Sequence, residues 1–155
     1  NCDYHDLVVR GKTSYIFGDD LLNFLNLKKR VEDKIANYTN IMKMRSVHIT
    51  ESWFNIQQKG GYLVDHNHGD NAVSIALYIN VDDHSSNLTF KNPNQLISYF
   101  WNSSNVQEVD YSEHVINPKN RDMYIFPSWL NHGSSNINET ENRTVISANA
   151  SWNEM

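Results

Sequence analysis

Three of the seven histidines in this chain fall where metal chemistry needs them. His66 and His68 stand at i and i+2 in an extended segment, so both imidazoles leave one face, roughly 6–7 Å apart at Cα. Two such nitrogens can converge on one ion without distorting the backbone. Gly69-Asp70-Asn71 follows as a turn, which puts the pair at the mouth of a strand, open to ligands. Alone, His-x-His is a weak signal, because such pairs are more often surface or hydrogen-bonded histidines. His132 supplies the third corner. The apolar run Phe126-Pro127-Ser128-Trp129-Leu130-Asn131 delivers it into a turn at Gly133. Three ligands on one side of a metal leave the remaining positions open, as expected of non-haem iron that activates O₂ beside a chelating co-substrate.

A second constellation surrounds Arg143, which opens the strand Arg143-Thr144-Val145-Ile146-Ser147-Ala148-Asn149. Alternation puts Arg143, Val145, Ser147 and Asn149 on one face, and Thr144, Ile146, Ala148 and Ala150 on the other. The first face is the polar one and is expected to line a cavity. A guanidinium at its start can hold the far end of a dicarboxylate through two parallel charge-assisted bonds. A surface pair with Glu139 or Glu141 is the plainer reading of the same arginine. The strand 73–80 repeats the pattern, with Val73, Ile75, Leu77 and Ile79 against Ser74, Ala76, Tyr78 and Asn80. Tyr78 facing the cavity would add a hydroxyl to the same carboxylate. A tyrosine merely packed at a strand end is the alternative.

These residues need a frame. Asp19 and Asp20 suit a helix N-terminus, and Leu21, Leu22, Leu25, Val31, Ile35, Tyr38, Ile41 and Met42 give a three-to-four repeat, so 19 to about 44 reads as helix. From Val47 the pattern changes to short runs of β-branched and aromatic residues between polar turns. The expected strands are 47–58, 61–67, 72–81, 87–91, 111–116, 122–127 and 143–152. A turn over 134–141 is expected to lay the last strand antiparallel beside the one that carries His132. One helix before about seven strands, without a βαβ rhythm, implies a mainly β barrel or double sheet with a supporting helix. The stretch 94–110 carries Tyr99, Phe100 and Trp101 in a polar setting. It reads as a loop buried by its aromatics, or as a lid over a substrate site.

Bulk properties narrow the classes. A chain of 155 residues suits a single domain over 1–155, with a core at about 47–152. The net charge is −5, and the basic run Lys28-Lys29-Arg30 sits at helical spacing, so charge gives no support for nucleic-acid binding. Cys2 is the only cysteine, which rules out an intrachain disulfide and favours a reducing, cytoplasmic setting. Asn-x-Ser/Thr triplets such as Asn37-Tyr38-Thr39 arise by chance in so Asn-rich a chain. No run approaches the length of a membrane span, and no signal-peptide core is visible. The first residue is Asn1 rather than Met, so the chain reads as a trimmed or partial one.

In their order along the chain, these pieces resemble the 2-oxoglutarate- and Fe(II)-dependent oxygenases common in phage and marine bacterial sequences. The resemblance runs from Trp53-Phe54-Asn55 through Gly60-Gly61, His66-Asn67-His68, Ser74 to Tyr78, Phe90-Lys91-Asn92-Pro93 and Phe126 to Gly133, and ends with Arg143 to Asn149. The Phe-Pro-Ser-Trp-Leu-x-His-Gly run is its most specific part. It implies a double-stranded β-helix (jelly roll), iron held by the motif histidines, and 2-oxoglutarate bound through Arg143. Tyr78, Ser147 and Asn55 complete the candidate co-substrate set. Two departures stand out. The family usually has Gly-Asp where this chain has Arg121-Asp122, so that turn is expected to differ. The wider superfamily usually uses His-x-Asp, and this chain offers both His66-x-His68 and His68-x-Asp70. Strand geometry and motif order favour His66, His68 and His132, with Asp70 the alternative third ligand. The implied activity is a dioxygenase coupling 2-oxoglutarate decarboxylation to C–H oxidation, in the cytoplasm, of a host if phage-encoded. A cupin-like metal-binding jelly roll with a sensing role, or a capsid-associated one with incidental histidines, would share the fold without the chemistry.

Overall fold

The computed structural model describes residues 9–10, 13–17, 21–94 and 112–154. Ten strands appear in it: β1 (Val9–Arg10), β2 (Thr13–Phe17), β3 (Val47–Gln57), β4 (Tyr62–Leu63), β5 (Val73–Asn80), β6 (Leu88–Lys91), β7 (Glu113–Ile116), β8 (Met123–Pro127), β9 (His132–Gly133) and β10 (Arg143–Trp152). Two helices, α1 (Leu21–Phe24) and α2 (Lys28–Ile41), precede β3. A five-stranded sheet runs β2-β3-β10-β5-β8 and a three-stranded sheet β7-β6-β9, with β1 and β4 pairing apart. All pairings are antiparallel. Two such sheets, exchanging strands out of chain order, make the double-stranded β-helix expected from the motifs. No helix among the described residues is long and apolar enough to cross a membrane.

Alternation along β5 and β10 gives the large sheet two different faces. Outside, Val73, Ile75, Ile146, Ala148 and Ala150 share a core with Leu22, Val31 and Ile35 of the helical layer. The buried residues of α2, Val31, Ile35 and Thr39, recur every four positions and form a single stripe. Inside, Ala76, Tyr78, Phe126 and Val145 meet Leu88 of the small sheet. Each large aliphatic side chain so buried contributes about 1.5–3 kcal/mol.

The expected helix over 19–44 is in fact two. Asn26 takes φ 54°, and the amides of Leu27 and Asn26 bond back to the carbonyls of Leu22 and Asn23 at 2.8 and 2.9 Å. That is a Schellman closure, with asparagine in the left-handed position where it costs least after glycine. The apolar repeat runs straight through the break, so periodicity could not reveal it. The strand expected at 61–67 is only Tyr62–Leu63, followed by an isolated bridge at His66. β1 and β2 lie ahead of the helices, where no strand was expected.

The expected hairpin from His132 to Arg143 is also corrected. β10 lies between β3 and β5 in the large sheet, whereas β9 pairs with β6 in the small one. β9 has only two residues to offer, far too few for the ten of β10, so the connection passes from one sheet to the other. Asn138 secures it, donating from Nδ2 to the carbonyl of Gln57 at 3.1 Å and from its amide to that of Gly61 at 2.8 Å. Apart from Asn94, the stretch 94–110 read as a loop or lid lies outside the described residues.

Candidate metal centre and its cavity

Backbone pairing, not side-chain packing, brings the three histidines together. His66 and His132 exchange both amide–carbonyl bonds at 2.9 Å, the closed pair of an antiparallel ladder. His68 is tied separately, its amide donating to the carbonyl of Ser128 at 2.8 Å. Their rings stand 4.4 Å (His66–His132), 5.1 Å (His66–His68) and 5.4 Å (His68–His132) apart between centroids. One ligand atom from each lies within 4.8 Å of the other two. Gly133 is what allows β9 so close, since a Cβ there would stand 2.7 Å from Asp65 Oδ1 and 3.0 Å from the Leu63 carbonyl oxygen.

The tautomers are fixed in the same way at two of these rings. Nδ1 of His66 lies 2.8 Å from the carbonyl of Val64, and Nδ1 of His132 lies 2.9 Å from that of Leu130. A carbonyl can only accept, so each Nδ1 carries a proton, and in the neutral ring Nε2 then keeps its lone pair, as in metal-bound imidazoles held from behind. Burial, and then the neighbouring His66, push the pKa of His132 down to about 3. The imidazole is therefore neutral at ordinary pH. A cluster of three imidazoles fits a divalent first-row metal.

The cluster opens on a cavity of about 530 Å³ walled by β3, β5 and β10. Register divides this wall into layers. Glu51, Asn149 and Ser74 form the outermost, then Trp53, Ser147 and Ala76, then Asn55, Val145 and Tyr78, and Arg143 lies opposite Gln57 at the inner end. From Asn149 to Arg143 the strand covers about 20 Å. Thus Arg143, Tyr78, Ser147 and Asn55, read from sequence as one set, all line one space with His66, His68 and His132.

Arg143 and Tyr78 are each 1% exposed. The guanidinium lies 5.2 Å from the centre of the Tyr78 ring, and its Nε donates to the carbonyl of Ser86 at 2.9 Å. Ser86 is held in turn, its hydroxyl donating to Gln57 Oε1 at 2.6 Å and its amide to Asn138 Oδ1 at 3.3 Å. A surface pairing of Arg143 with Glu139 or Glu141 is excluded by this burial. Burial raises the Tyr78 pKa, an effect that the Arg143 charge opposes. The phenol remains a neutral hydrogen-bond donor. A buried guanidinium beside a neutral hydroxyl fits a carboxylate.

Asp70 lies on the cavity wall but outside the three-imidazole group, in a turn closed by the Asn71 amide on the carbonyl of His68 at 2.9 Å. The turn at Arg121-Asp122 keeps the backbone that glycine would supply: Arg121 takes φ 78°. It also brackets Tyr78, whose carbonyl accepts from Arg121 and whose amide donates to the carbonyl of Asp122. Sequence reading did not single out Glu51 and Trp53 as cavity residues, although they precede Asn55 at the same period of two. Gln57, Ser86 and Asn138 were missed as well, and no local pattern marks them.

The family model described as "Putative 2OG-Fe(II) oxygenase" matches residues 51–149. No curated protein matches the chain. Among solved structures, it is similar to a 2OG-Fe(II) oxygenase family oxidoreductase from Burkholderia pseudomallei (11% identity, TM-score 0.65, covering 90% of this chain and 66% of that one). A prolyl-4-hydroxylase from Pseudomonas putida is similar at 12% identity and TM-score 0.62, covering 95% and 74%. HygX from Streptomyces hygroscopicus, solved with nickel and 2-oxoglutarate bound, is similar at 12% and 0.59, covering 92% and 74%. The chain thus spans just under two thirds of the Burkholderia protein. At these identities the likeness is one of fold.

Proposed function

Since the chain belongs to the 2OG-Fe(II) oxygenase family, we propose that it is an Fe(II)- and 2-oxoglutarate-dependent dioxygenase that couples 2-oxoglutarate decarboxylation to oxidation of a C–H bond in a primary substrate. The observation that carries the reading is the presence, in one cavity, of a three-imidazole cluster and a buried guanidinium. When bound, iron and 2-oxoglutarate supply the oxidising chemistry with O₂.

His66, His68 and His132 would hold the metal, and the protons kept on Nδ1 of His66 and His132 would reserve their Nε2 atoms for it. With three protein ligands, the metal would keep room to bind the co-substrate and O₂. Arg143, immobilised by the Ser86 carbonyl, anchors the distal carboxylate of 2-oxoglutarate, and Tyr78 donates its hydroxyl to the same group. Ser147 and Asn55 present polar side chains from the intervening layers. Leu88, Phe126 and Val145 keep water from the inner cavity.

Adding Fe(II) and 2-oxoglutarate without oxygen is expected to give a weak visible charge-transfer band, and admitting O₂ to give succinate. Tight metal binding with neither signal would assign the chain to the metal-binding, non-oxygenase jelly rolls.

A further inference from the structure

The charges of the cavity are sorted by depth. Among its described lining residues Arg143 is the one lysine or arginine, and it lies in the innermost layer. The two carboxylates, Glu51 and Asp70, are exposed and belong to the outer part, with Glu51 in the outermost layer. One layer in from Glu51 stands Trp53, an aromatic wall whose ring centre lies 6.0 Å from that of His68.

Glu51 is held in place by buried machinery. Ser74 Oγ donates to Asn149 Oδ1 at 2.8 Å, and this fixes the amide so that Asn149 Nδ2 donates to Glu51 Oε1 at 2.7 Å. With its proton committed, Ser74 accepts from Ser128 Oγ, also at 2.8 Å. Ser128, Ser74 and Asn149 are 0%, 2% and 1% exposed. Each hydroxyl or amide taken out of water carries a desolvation cost, which an apolar trio of the same shape would avoid. The series of donors points one way and terminates on a single carboxylate at the cavity mouth. A carboxylate accepts at two oxygens, and the amide of Asn149 engages one of them.

We propose that Glu51, with Asp70 at the same mouth and Trp53 one layer in, recognises a positively charged group of the primary substrate, an ammonium or a guanidinium. The substrate class rests on the oxygenase reading above; the charge preference of the mouth does not. A carboxylate offers such a group charge-assisted hydrogen bonds, and an aromatic face attracts the same cation. Two like charges at the mouth also turn away a second carboxylate, so co-substrate and substrate sort to opposite ends of one cavity.

The test uses three probes of equal length with different heads: n-pentylamine, 1-pentanol and pentanoate. Each is titrated by NMR into the full chain loaded with Zn(II) and 2-oxoglutarate, after binding of both has been measured in the same sample. The ammonium probe is expected to bind about tenfold more tightly than the alcohol, with pentanoate weakest. Glu51→Gln keeps an acceptor for Asn149 and removes the charge; it is expected to erase most of that preference at an unchanged melting temperature. Asp70→Asn is expected to reduce it in part. Equal binding of the three heads, or a preference that survives Glu51→Gln, overturns the proposal. If Zn(II) or 2-oxoglutarate fails to bind, the oxygenase reading falls, and comparing the amine with the alcohol on the metal-free chain, before and after Glu51→Gln, still decides the head-group preference.

Discussion

At the scale of single residues, the proposed ligand set rests on where protons are held. His132 is buried, neutral and fixed from behind by Leu130, so its Nε2 lone pair is free to bind a metal. His132→Ala is expected to abolish binding of one divalent metal per chain. Metal analysis after gel filtration checks this, and His66→Ala with Asp70→Ala tells the two candidate sets apart. Loss in His66→Ala with retention in Asp70→Ala supports three imidazoles; the reverse supports His68 and Asp70 with His132. Arg143→Ala leaves metal stoichiometry intact and weakens 2-oxoglutarate binding by about 2–5 kcal/mol, because one partner of a desolvated pair is lost. Titration calorimetry measures it, and an affinity within a factor of two of wild type would move the anchor elsewhere.

At the scale of elements, sequence was most informative where one face of a strand is buried and alternation has a physical cause. The division of β10 into Arg143, Val145, Ser147 and Asn149 against Ile146, Ala148 and Ala150 is the division between cavity and outer core. Chain crossings were illegible, since nothing local to Ser134–Glu141 records that β10 joins another sheet. The network through Gln57, Ser86 and Asn138 was hidden for the same reason: it joins residues distant in sequence through ordinary polar side chains. The turn before β8 was misjudged, since it was expected to differ and instead keeps the backbone that glycine would supply. Arg121 stands where the resemblance led us to expect glycine, and the backbone there is left-handed all the same. Arg121→Gly relieves a cost of about 1–2 kcal/mol and adds back some unfolded-chain entropy, for a net gain of about 0.5–1 kcal/mol. Denaturant midpoints measure it; a loss of stability would mean that the arginine side chain itself supports the turn.

At the scale of the whole molecule, stability and chemistry occupy opposite faces of one sheet. The helical layer packs on Val73, Ile75, Ile146, Ala148 and Ala150, and the histidines lie beyond the other face. Ile35→Ala is therefore expected to cost about 2–5 kcal/mol of folding free energy and to leave metal stoichiometry at one. Thermal unfolding alongside metal analysis checks both halves. A variant that remained folded yet lost the metal would show that the helices brace the site through the sheet.

The exchanged backbone bonds of His66 and His132 also bear on folding, because they close a long loop. Those residues come from distant parts of the sequence, and the sheet they adjoin joins Glu51 to Asn149 across 98 positions and Ser74 to Asn149 across 75. Contacts so remote form late, after much loop-closure entropy has been lost. If the histidines meet after the rate-limiting step, a metal ion can act only on the folded side of the barrier. Zn(II) is expected to slow unfolding while leaving the refolding rate unchanged, which stopped-flow chevrons in the presence and absence of the ion would resolve. Refolding that accelerates with the ion would mean that the two strands meet early. Held by its metal, the protein would owe its persistence to a barrier against opening rather than to any help in closing.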